Sequence, residues 1–166
     1  RDTDVLECLL QLQDAKIDVT DQNGNTPLHL AALVRGTAPL NLLLRYDANP
    51  NVRNALGLTP THLACRFGLW VDTKDWTWNV PWPKEYPQSP SENDLHWEFK
   101  GIWSTRPVLD ATVNALCDAG TDVNSRANNG DTLLHDAVLN LGPSALESIL
   151  SRGAKVNALN DDGRTP

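Results

Sequence analysis

The histidines come first among residues that could do chemistry, because an imidazole can transfer a proton near neutral pH or bind a metal ion. His29, His62 and His135 each follow a threonine by three positions inside a recurring phrase, whereas His96 stands outside it. A histidine that recurs at one place in a repeat is typical of a framework residue. The pattern therefore predicts structural roles for the first three, and a solvated side chain for His96.

Motifs for nucleophilic, phosphate or zinc chemistry are absent from the sequence. It contains no Gly-x-Ser-x-Gly, no P-loop and no His-Glu-x-x-His. Cys8, Cys65 and Cys117 are too far apart for a zinc-binding pair and are typical of small buried residues in a reducing compartment. The sequence predicts no enzyme activity, no cofactor and no metal site.

One phrase, Gly-x-Thr-Pro-x-His, sets the period of the chain. It begins at Gly24 and Gly57, returns from Gly130 with Leu133 in place of proline, and breaks off after Gly163. The first and last of the three steps between these glycines are equal, and the middle step is one such period lengthened by an insertion. A fixed period of this size indicates stacked supersecondary units rather than one globular core.

Phrase and period together resemble the ankyrin repeat. The resemblance implies a mostly α-helical solenoid in which each unit is a β-turn followed by two antiparallel helices. The residues support this, because Thr26 can cap a helix and Pro27 suits its first position. In the second helices, apolar trios at i, i+3 and i+4 predict a buried face: Leu6, Leu9 and Leu10; Leu40, Leu43 and Leu44; Val113, Leu116 and Cys117; Leu146, Ile149 and Leu150.

The domain organisation predicted from these patterns is a single ankyrin-repeat array over residues 1–166. Neither end has the polar character of a capping unit, which favours a longer parent protein. The predicted divisions are a half unit at 4–21, a full unit at 22–54, a unit at 55–126 interrupted by an insertion at about 69–108, a full unit at 127–159, and the start of another at 160–166.

The insertion holds all six tryptophans of the chain. Trp76, Trp78 and Trp82 alternate with other residues, as do Trp97 and its neighbours, which predicts extended strands. We expect these aromatic strands to lie on the solenoid. Two readings stay open, because tryptophans either bury themselves against their own chain or form a hot spot for a partner.

The predicted function is a non-catalytic scaffold or adaptor that binds a protein. A net charge of −7 argues against nucleic acid and favours a partner with a basic patch. No apolar run suits membrane insertion, and the expected location is intracellular, in cytoplasm or nucleus. The candidate binding residues are Leu33, Val34, Arg66, Phe67, Leu139 and Asn140 in the concave groove, Gln22, Asn23, Leu56, Asn128 and Asn129 at the turn tips, and Trp76, Trp78, Trp82 and Trp97.

Two alternatives belong to other functional classes. The chain could be the substrate-recognition or regulatory segment of a larger enzyme such as a ubiquitin ligase. It could also be a structural spacer whose insertion packs on its own groove.

One asparagine is a candidate for modification. Residues 116–124 resemble the Leu-x5-Asp/Glu-apolar-Asn pattern that the oxygen-sensing asparaginyl hydroxylase modifies in ankyrin proteins, with Asn124 as the target. The alternative is that Asn124 only forms hydrogen bonds in its turn.

Overall fold

The computed structural model describes residues 2–12, 16–33, 36–67 and 106–166. Most of the insertion, including Trp76, Trp78, Trp82 and Trp97, lies outside these ranges. The described residues contain seven helices joined by turns, which agrees with the predicted mostly α-helical class. These helices are α1 (Asp2–Leu10), α2 (Pro27–Ala31), α3 (Ala38–Arg45), α4 (Pro60–Phe67), α5 (Arg106–Asp118), α6 (Leu133–Asn140) and α7 (Pro143–Ser151).

Each short first helix, α2, α4 and α6, begins directly after the threonine of the recurring phrase. Thr26 has an extended backbone with φ of −84°, and Pro27 follows it at the first helical position. Proline fits there because its missing N–H would have no partner inside the helix. Thr132 has the same extended backbone, although Leu133 replaces the proline.

The helices form antiparallel pairs that stack side by side. Helix α2 packs on α3, α4 on α5 and α6 on α7, while α4 lies between α2 and α6. Second helices also meet, α1 on α3 and α5 on α7. The result is a solenoid in which a main apolar core runs from unit to unit, with a smaller cluster around Leu58 and Leu63 beside it.

The apolar trios are confirmed in the middle of the stack and partly wrong toward its ends. Val113, Leu116 and Cys117 are fully or nearly fully buried. Leu150, in contrast, is 43% exposed, and Leu9 is 54% exposed. Successive helical residues are about 100° apart around the axis. Ile149 lies at the centre of the buried face and Leu150 at its edge, where burial depends on the neighbouring unit.

Four turns in the described residues, one at each copy of the recurring phrase, share one hydrogen-bond pattern. In the second, Asn54 N–H donates to the Leu58 carbonyl at 2.9 Å, and Gly57 N–H donates to the Asn54 carbonyl at 2.8 Å. The same two bonds close the turns at 21–25, 127–131 and 160–164. Gly57 has φ of +74° in the left-handed region, where a Cβ is unfavourable.

A ladder of backbone hydrogen bonds links the tips of these turns. Ala55 N–H donates to the Asn23 carbonyl at 2.9 Å, and Asn128 N–H donates to the Leu56 carbonyl at 3.1 Å. Asp161 N–H then donates to the Asn129 carbonyl at 3.3 Å. The second bond spans the interrupted unit, so the extra residues leave the turn tips in register.

The tip ladder predicts that replacing Gly57 lowers the stability of the chain. We expect Gly57→Ala to lower the free energy of unfolding by about 1–2 kcal/mol for the left-handed backbone. Overpacking adds a further 1–3 kcal/mol or so, because the new Cβ would lie 2.9 Å from the Asn128 backbone nitrogen. Urea denaturation measures both terms together.

Gly153→Ala is the matched control for this substitution. Gly153 also has positive φ, +84°, but a Cβ there meets nothing within 4 Å. The control should therefore lose only the free energy that the left-handed backbone costs. Equal losses at the two glycines would mean that the tip contact contributes nothing.

Candidate protein-interaction surface

The turn tips form an exposed edge along the solenoid. Gln22, Asn23, Asn128 and Asn129 are exposed, and the Leu56 side chain is 42% exposed. The tip ladder holds the backbones of Asn23, Leu56, Asn128 and Asn129 in a fixed row, and Gln22 directly precedes Asn23. The structure thus brings together all five tip residues that the sequence singled out.

The tip side chains divide into two groups. Asn128 Nδ2 donates to the Ala55 carbonyl at 3.0 Å, and Asn129 Nδ2 donates to Asp131 Oδ2 at 2.6 Å. These two amides thus serve the turns themselves. Within the described part of the chain, no side-chain hydrogen bond occupies Gln22 or Asn23, and the Leu56 side chain is apolar.

Two of the concave-groove candidates, Leu33 and Arg66, are engaged within the chain. Leu33 is half-buried and packs against Leu58, Leu63 and Ala127. The Arg66 side chain is only 16% exposed, because it forms ion pairs within the chain. Val34 and the side chains of Phe67, Leu139 and Asn140 lie outside the described set.

Arg66 joins two units through a buried cluster of charges. From α4, its Nε donates to Asp136 Oδ1 on α6 at 2.8 Å, and its Nη2 donates to Asp131 Oδ2 at 3.0 Å. Side-chain exposure is 16% for Asp131 and 7% for Asp136. Burial raises the pKa of Asp136 to about 6, although the Arg66 guanidinium opposes the shift.

This cluster was not predicted as a unit from the sequence. The repeat pattern placed Arg66 on the binding surface and gave no role to Asp131 or Asp136. A signal was nevertheless present, because all three charged residues stand where the preceding unit has leucine. Only alignment of the units by repeat position reveals it.

The repeated histidines are built into the frame. Thr26 N–H donates to His29 Nδ1 at 3.0 Å, so the ring hydrogen is assigned to Nε2, which donates to the Leu58 carbonyl at 3.0 Å. Burial lowers the pKa of His29 and thus favours this neutral form. His135 Nε2 reaches the Arg164 carbonyl at 3.0 Å in the same way. These bonds join neighbouring units rather than performing acid–base chemistry.

His62 is the exception among the three. Its Nδ1 lies 2.8 Å from Thr59 Oγ1, but its buried Nε2 has no partner within hydrogen-bond geometry among the described residues. Burial lowers the pKa of His62 to about 4, and nearby Arg66 contributes in the same direction, while the Ser125 backbone opposes the shift. His62 is therefore neutral at physiological pH.

Two asparagines link the turns that follow the second helices. Asn51 Nδ2 donates to the Gly120 carbonyl at 3.0 Å, and its Oδ1 accepts from Asp122 N–H at 2.7 Å. Asn124 repeats the arrangement one unit later, donating to the Gly153 carbonyl at 3.0 Å. The amide proposed for hydroxylation thus also bridges two units.

Groups suited to other chemistry do not converge in the described ranges. No set of three or more His, Cys, Asp or Glu side chains there could hold a metal ion. Burial raises the pKa of Cys65 and of Cys117, which keeps both thiols protonated and poorly nucleophilic. No helix in the same ranges is long and apolar enough to cross a membrane.

The stacked helix pairs and their tip ladder define a helical repeat protein. The family model for ankyrin repeats, in three copies, matches residues 1–71. This match and the ankyrin-repeat relatives below support assignment of the chain to the ankyrin-repeat family. Ankyrin repeats are generally protein–protein interaction modules and are generally non-catalytic.

Three curated relatives illustrate the match. The Monkeypox virus ankyrin repeat protein OPG189 is 28% identical over 93% of this chain and 26% of its own length. The putative ankyrin repeat protein FPV230 of Fowlpox virus is 29% identical over 84% of this chain and 71% of its own length. The poly [ADP-ribose] polymerase tankyrase of Caenorhabditis elegans is 29% identical over 90% of this chain, but the match covers only 8% of that protein. The chain thus spans about a quarter or less of two of these relatives.

Proposed function

We propose that the chain is a protein-binding module that engages its partner through the turn tips and the adjoining concave side. The supporting observation is the row of tips, which backbone hydrogen bonds hold at each step of the stack. Gln22, Asn23 and Leu56 extend from this row without internal side-chain hydrogen bonds in the described residues. Their side chains are therefore available to an incoming surface.

The rigidity of the tips favours binding. Binding costs free energy when loops and side chains must be ordered on contact. At the tips the backbone is already ordered, because each turn is closed internally and bonded to the next. A partner would therefore contact a preformed edge, with Leu56 as its apolar element.

The charge of the chain narrows the proposed partner to proteins with a basic patch. The net charge is −7, and Asp161 and Asp162 extend the row of tips as exposed carboxylates. Opposite charge on a partner would raise the association rate more than the affinity. We place this interaction inside the cell, in cytoplasm or nucleus, as a scaffold or adaptor function.

The two alternative functions, a recognition segment of an enzyme and a structural spacer, differ in the surface that each would use. As a recognition segment of a larger enzyme such as a ubiquitin ligase, the chain would bind a protein through the same surface. As a structural spacer, it would use the insertion tryptophans to cover its own groove. Because those tryptophans lie outside the described residues, the tips provide the sharper test.

The proposal predicts that partner capture depends on Leu56. Leu56→Ala, combined with Gln22→Ala, should reduce a captured partner by about tenfold or more if the pair forms part of a hot spot. Neither side chain supports the core, so the stability measured in urea should stay within about 0.5 kcal/mol of the parent. The measurement is quantitative mass spectrometry of proteins retained on the immobilised chain.

Leu150→Ala is the matched control for partner capture. Leu150 is 43% exposed on α7, whereas Leu56 is 42% exposed at a tip, so both truncations remove similar accessible apolar surface. The control should retain the parent's partners. Identical captured proteins for both variants would reject the tips as the binding edge.

A further inference from the structure

The described residues contain two complete junctions between helix pairs, and the interiors of these junctions differ. The first junction joins the pair α2–α3 to the pair α4–α5. The second junction joins α4–α5 to α6–α7. Corresponding positions across the repeats can be compared residue by residue, since the tip ladder keeps all units in register.

At the first junction, three leucines occupy the positions that carry charge at the second. Leu58 and Leu63 are fully buried, and Leu33 packs against them. Leu33 corresponds to Arg66 in the next unit. Leu58 and Leu63 correspond to Asp131 and Asp136, one unit later across the insertion. A buried ion cluster therefore replaces a dry apolar contact.

The second junction also lacks a histidine bond that its neighbours have. His29 Nε2 lies 3.0 Å from the Leu58 carbonyl across the first junction, and His135 Nε2 lies 3.0 Å from the Arg164 carbonyl of the following turn. His62 should make the corresponding bond at the second junction. Its Nε2 has no partner within hydrogen-bond geometry in the described ranges, and a weaker interaction with the Ser125 backbone takes the place of the bond across the junction.

A hydrogen bond from an asparagine side chain to the preceding turn is also missing at the second junction. Asn54 Nδ2 donates to Asn25 Oδ1 at 2.9 Å across the first junction, and Asn160 Nδ2 donates to Asp131 Oδ1 at 2.8 Å in the last step. The corresponding residue at the second junction is Ala127. Its side chain cannot form a hydrogen bond, and it packs on Leu58 instead.

Other bonds keep the second junction closed. Arg53 Nη2 donates to the Arg126 carbonyl at 2.6 Å, and Asn128 Nδ2 donates to the Ala55 carbonyl at 3.0 Å. These contacts lie at the exposed rim. The second junction therefore has a polar rim like its neighbours and shares the apolar core, but where the first junction has a leucine contact it has Arg66 between Asp131 and Asp136.

We propose that the second junction is a conformational joint, at which the solenoid opens locally before it unfolds globally. Desolvating charges offsets much of their mutual attraction, whereas buried leucines have no such cost. Repulsion between Asp131 and Asp136 opposes closure further. Opening would let the concave surfaces on either side of α4 move relative to each other. This mobility does not depend on whether the tips bind a partner.

Two tip amides report opening at the two junctions. Ala55 N–H is bonded across the first junction and Asn128 N–H across the second, and both residues are exposed turn residues. In native-state hydrogen exchange by NMR on the whole 166-residue chain, we expect Asn128 to exchange about tenfold or more faster than Ala55 after correction for intrinsic rates. Equal protection of the two amides would contradict the proposed joint.

The double variant Arg66→Leu with Asp136→Leu tests the cause. It copies Leu33 and Leu63 into the second junction and leaves Asp131 bonded to Asn129 and Asn160. Protection at Asn128 should rise toward that of Ala55. An unchanged ratio in a folded double variant would reject the ion cluster as the reason for opening.

Asp136→Asn keeps the test decisive if the double variant does not fold. The amide preserves the side-chain shape and removes one of the two negative charges, so Asn128 protection should rise by a smaller factor. Glu147→Gln, at an exposed carboxylate on α7, serves as the control. Equal effects of the two substitutions on Asn128 would contradict the proposal.

Discussion

Arg66→Ala is expected to lower the free energy of unfolding by about 3–5 kcal/mol at neutral pH, because it leaves buried carboxylates without their cation. Asp131 and Asp136 have side-chain exposures of only 16% and 7%. Water cannot fully replace the guanidinium at either side chain. Urea denaturation followed by circular dichroism measures the loss.

Arg152→Ala provides a matched ion pair at the surface. Arg152 pairs with Asp118, whose side chain is 73% exposed. An exposed pair contributes at most about 1 kcal/mol. The two arginine variants should therefore differ severalfold, and similar losses would show that Arg66 is no more structural than a surface arginine.

A large loss on Arg66→Ala does not mean that the ion cluster stabilises the second junction more than leucines would. Removing one partner strands a buried charge, whereas exchanging Arg66 and Asp136 for leucines removes the desolvation cost of both and leaves Asp131 bonded to Asn129 and Asn160. Arg66→Ala should therefore be strongly destabilising, while Arg66→Leu with Asp136→Leu should be neutral or stabilising. The order of these variants, rather than either value alone, distinguishes a buried ion cluster from ordinary packing.

The second large expected effect is on the pH dependence of stability, and it should appear only when either Asp136 or His62 is replaced. Burial raises the pKa of Asp136 from 3.8 to about 6 and lowers the pKa of His62 from 6.5 to about 4. Asp136 faces Arg66, Asp131, His135 and Cys65. The charged groups facing His62 are Arg66, Arg53 and Asp131.

The signs of the two contributions are opposite between about pH 4 and pH 6. In this window the native chain holds a proton on Asp136 and none on His62. The unfolded chain holds one on His62 and none on Asp136. The proton counts of the two states are therefore equal for this pair, so its net contribution to stability is independent of pH.

Single substitutions should reveal the pH dependence of stability that each group contributes. In Asp136→Asn the remaining His62 should make stability rise with pH across the window, by on the order of 2–3 kcal/mol. His62→Gln leaves Asp136 alone, and stability should then fall by a similar amount as pH rises. Thermal or urea unfolding at several pH values measures both profiles relative to the parent.

The double variant Asp136→Asn with His62→Gln is the internal control for the pH experiment. It should return to the slope of the parent, because neither group then binds a proton. Parallel profiles for the two single variants would contradict the assigned shifts. This comparison is insensitive to a constant loss of stability from either substitution.

The repeat frame could be predicted because its determinants are local and periodic. Gly57 permits the left-handed turn, and Thr59 and Pro60 set the start of a helix, so neighbouring residues decide these features. The same logic placed Gln22, Asn23 and Leu56 at exposed tips. Prediction weakened toward the ends of the stack, where the burial of Leu9 and Leu150 depends on neighbouring units rather than on helical spacing alone.

The sequence by itself determined the family, the period and the recurring histidine frame, since each follows from residue types at fixed local spacing. Only the tertiary structure decided that Arg66 belongs to an internal ion cluster instead of an open groove. Arg66 precedes the insertion, whereas Asp131 and Asp136, which it meets, follow it. Whether a charged side chain faces solvent or a distant carboxylate depends on how the units stack, and no local propensity specifies that pairing.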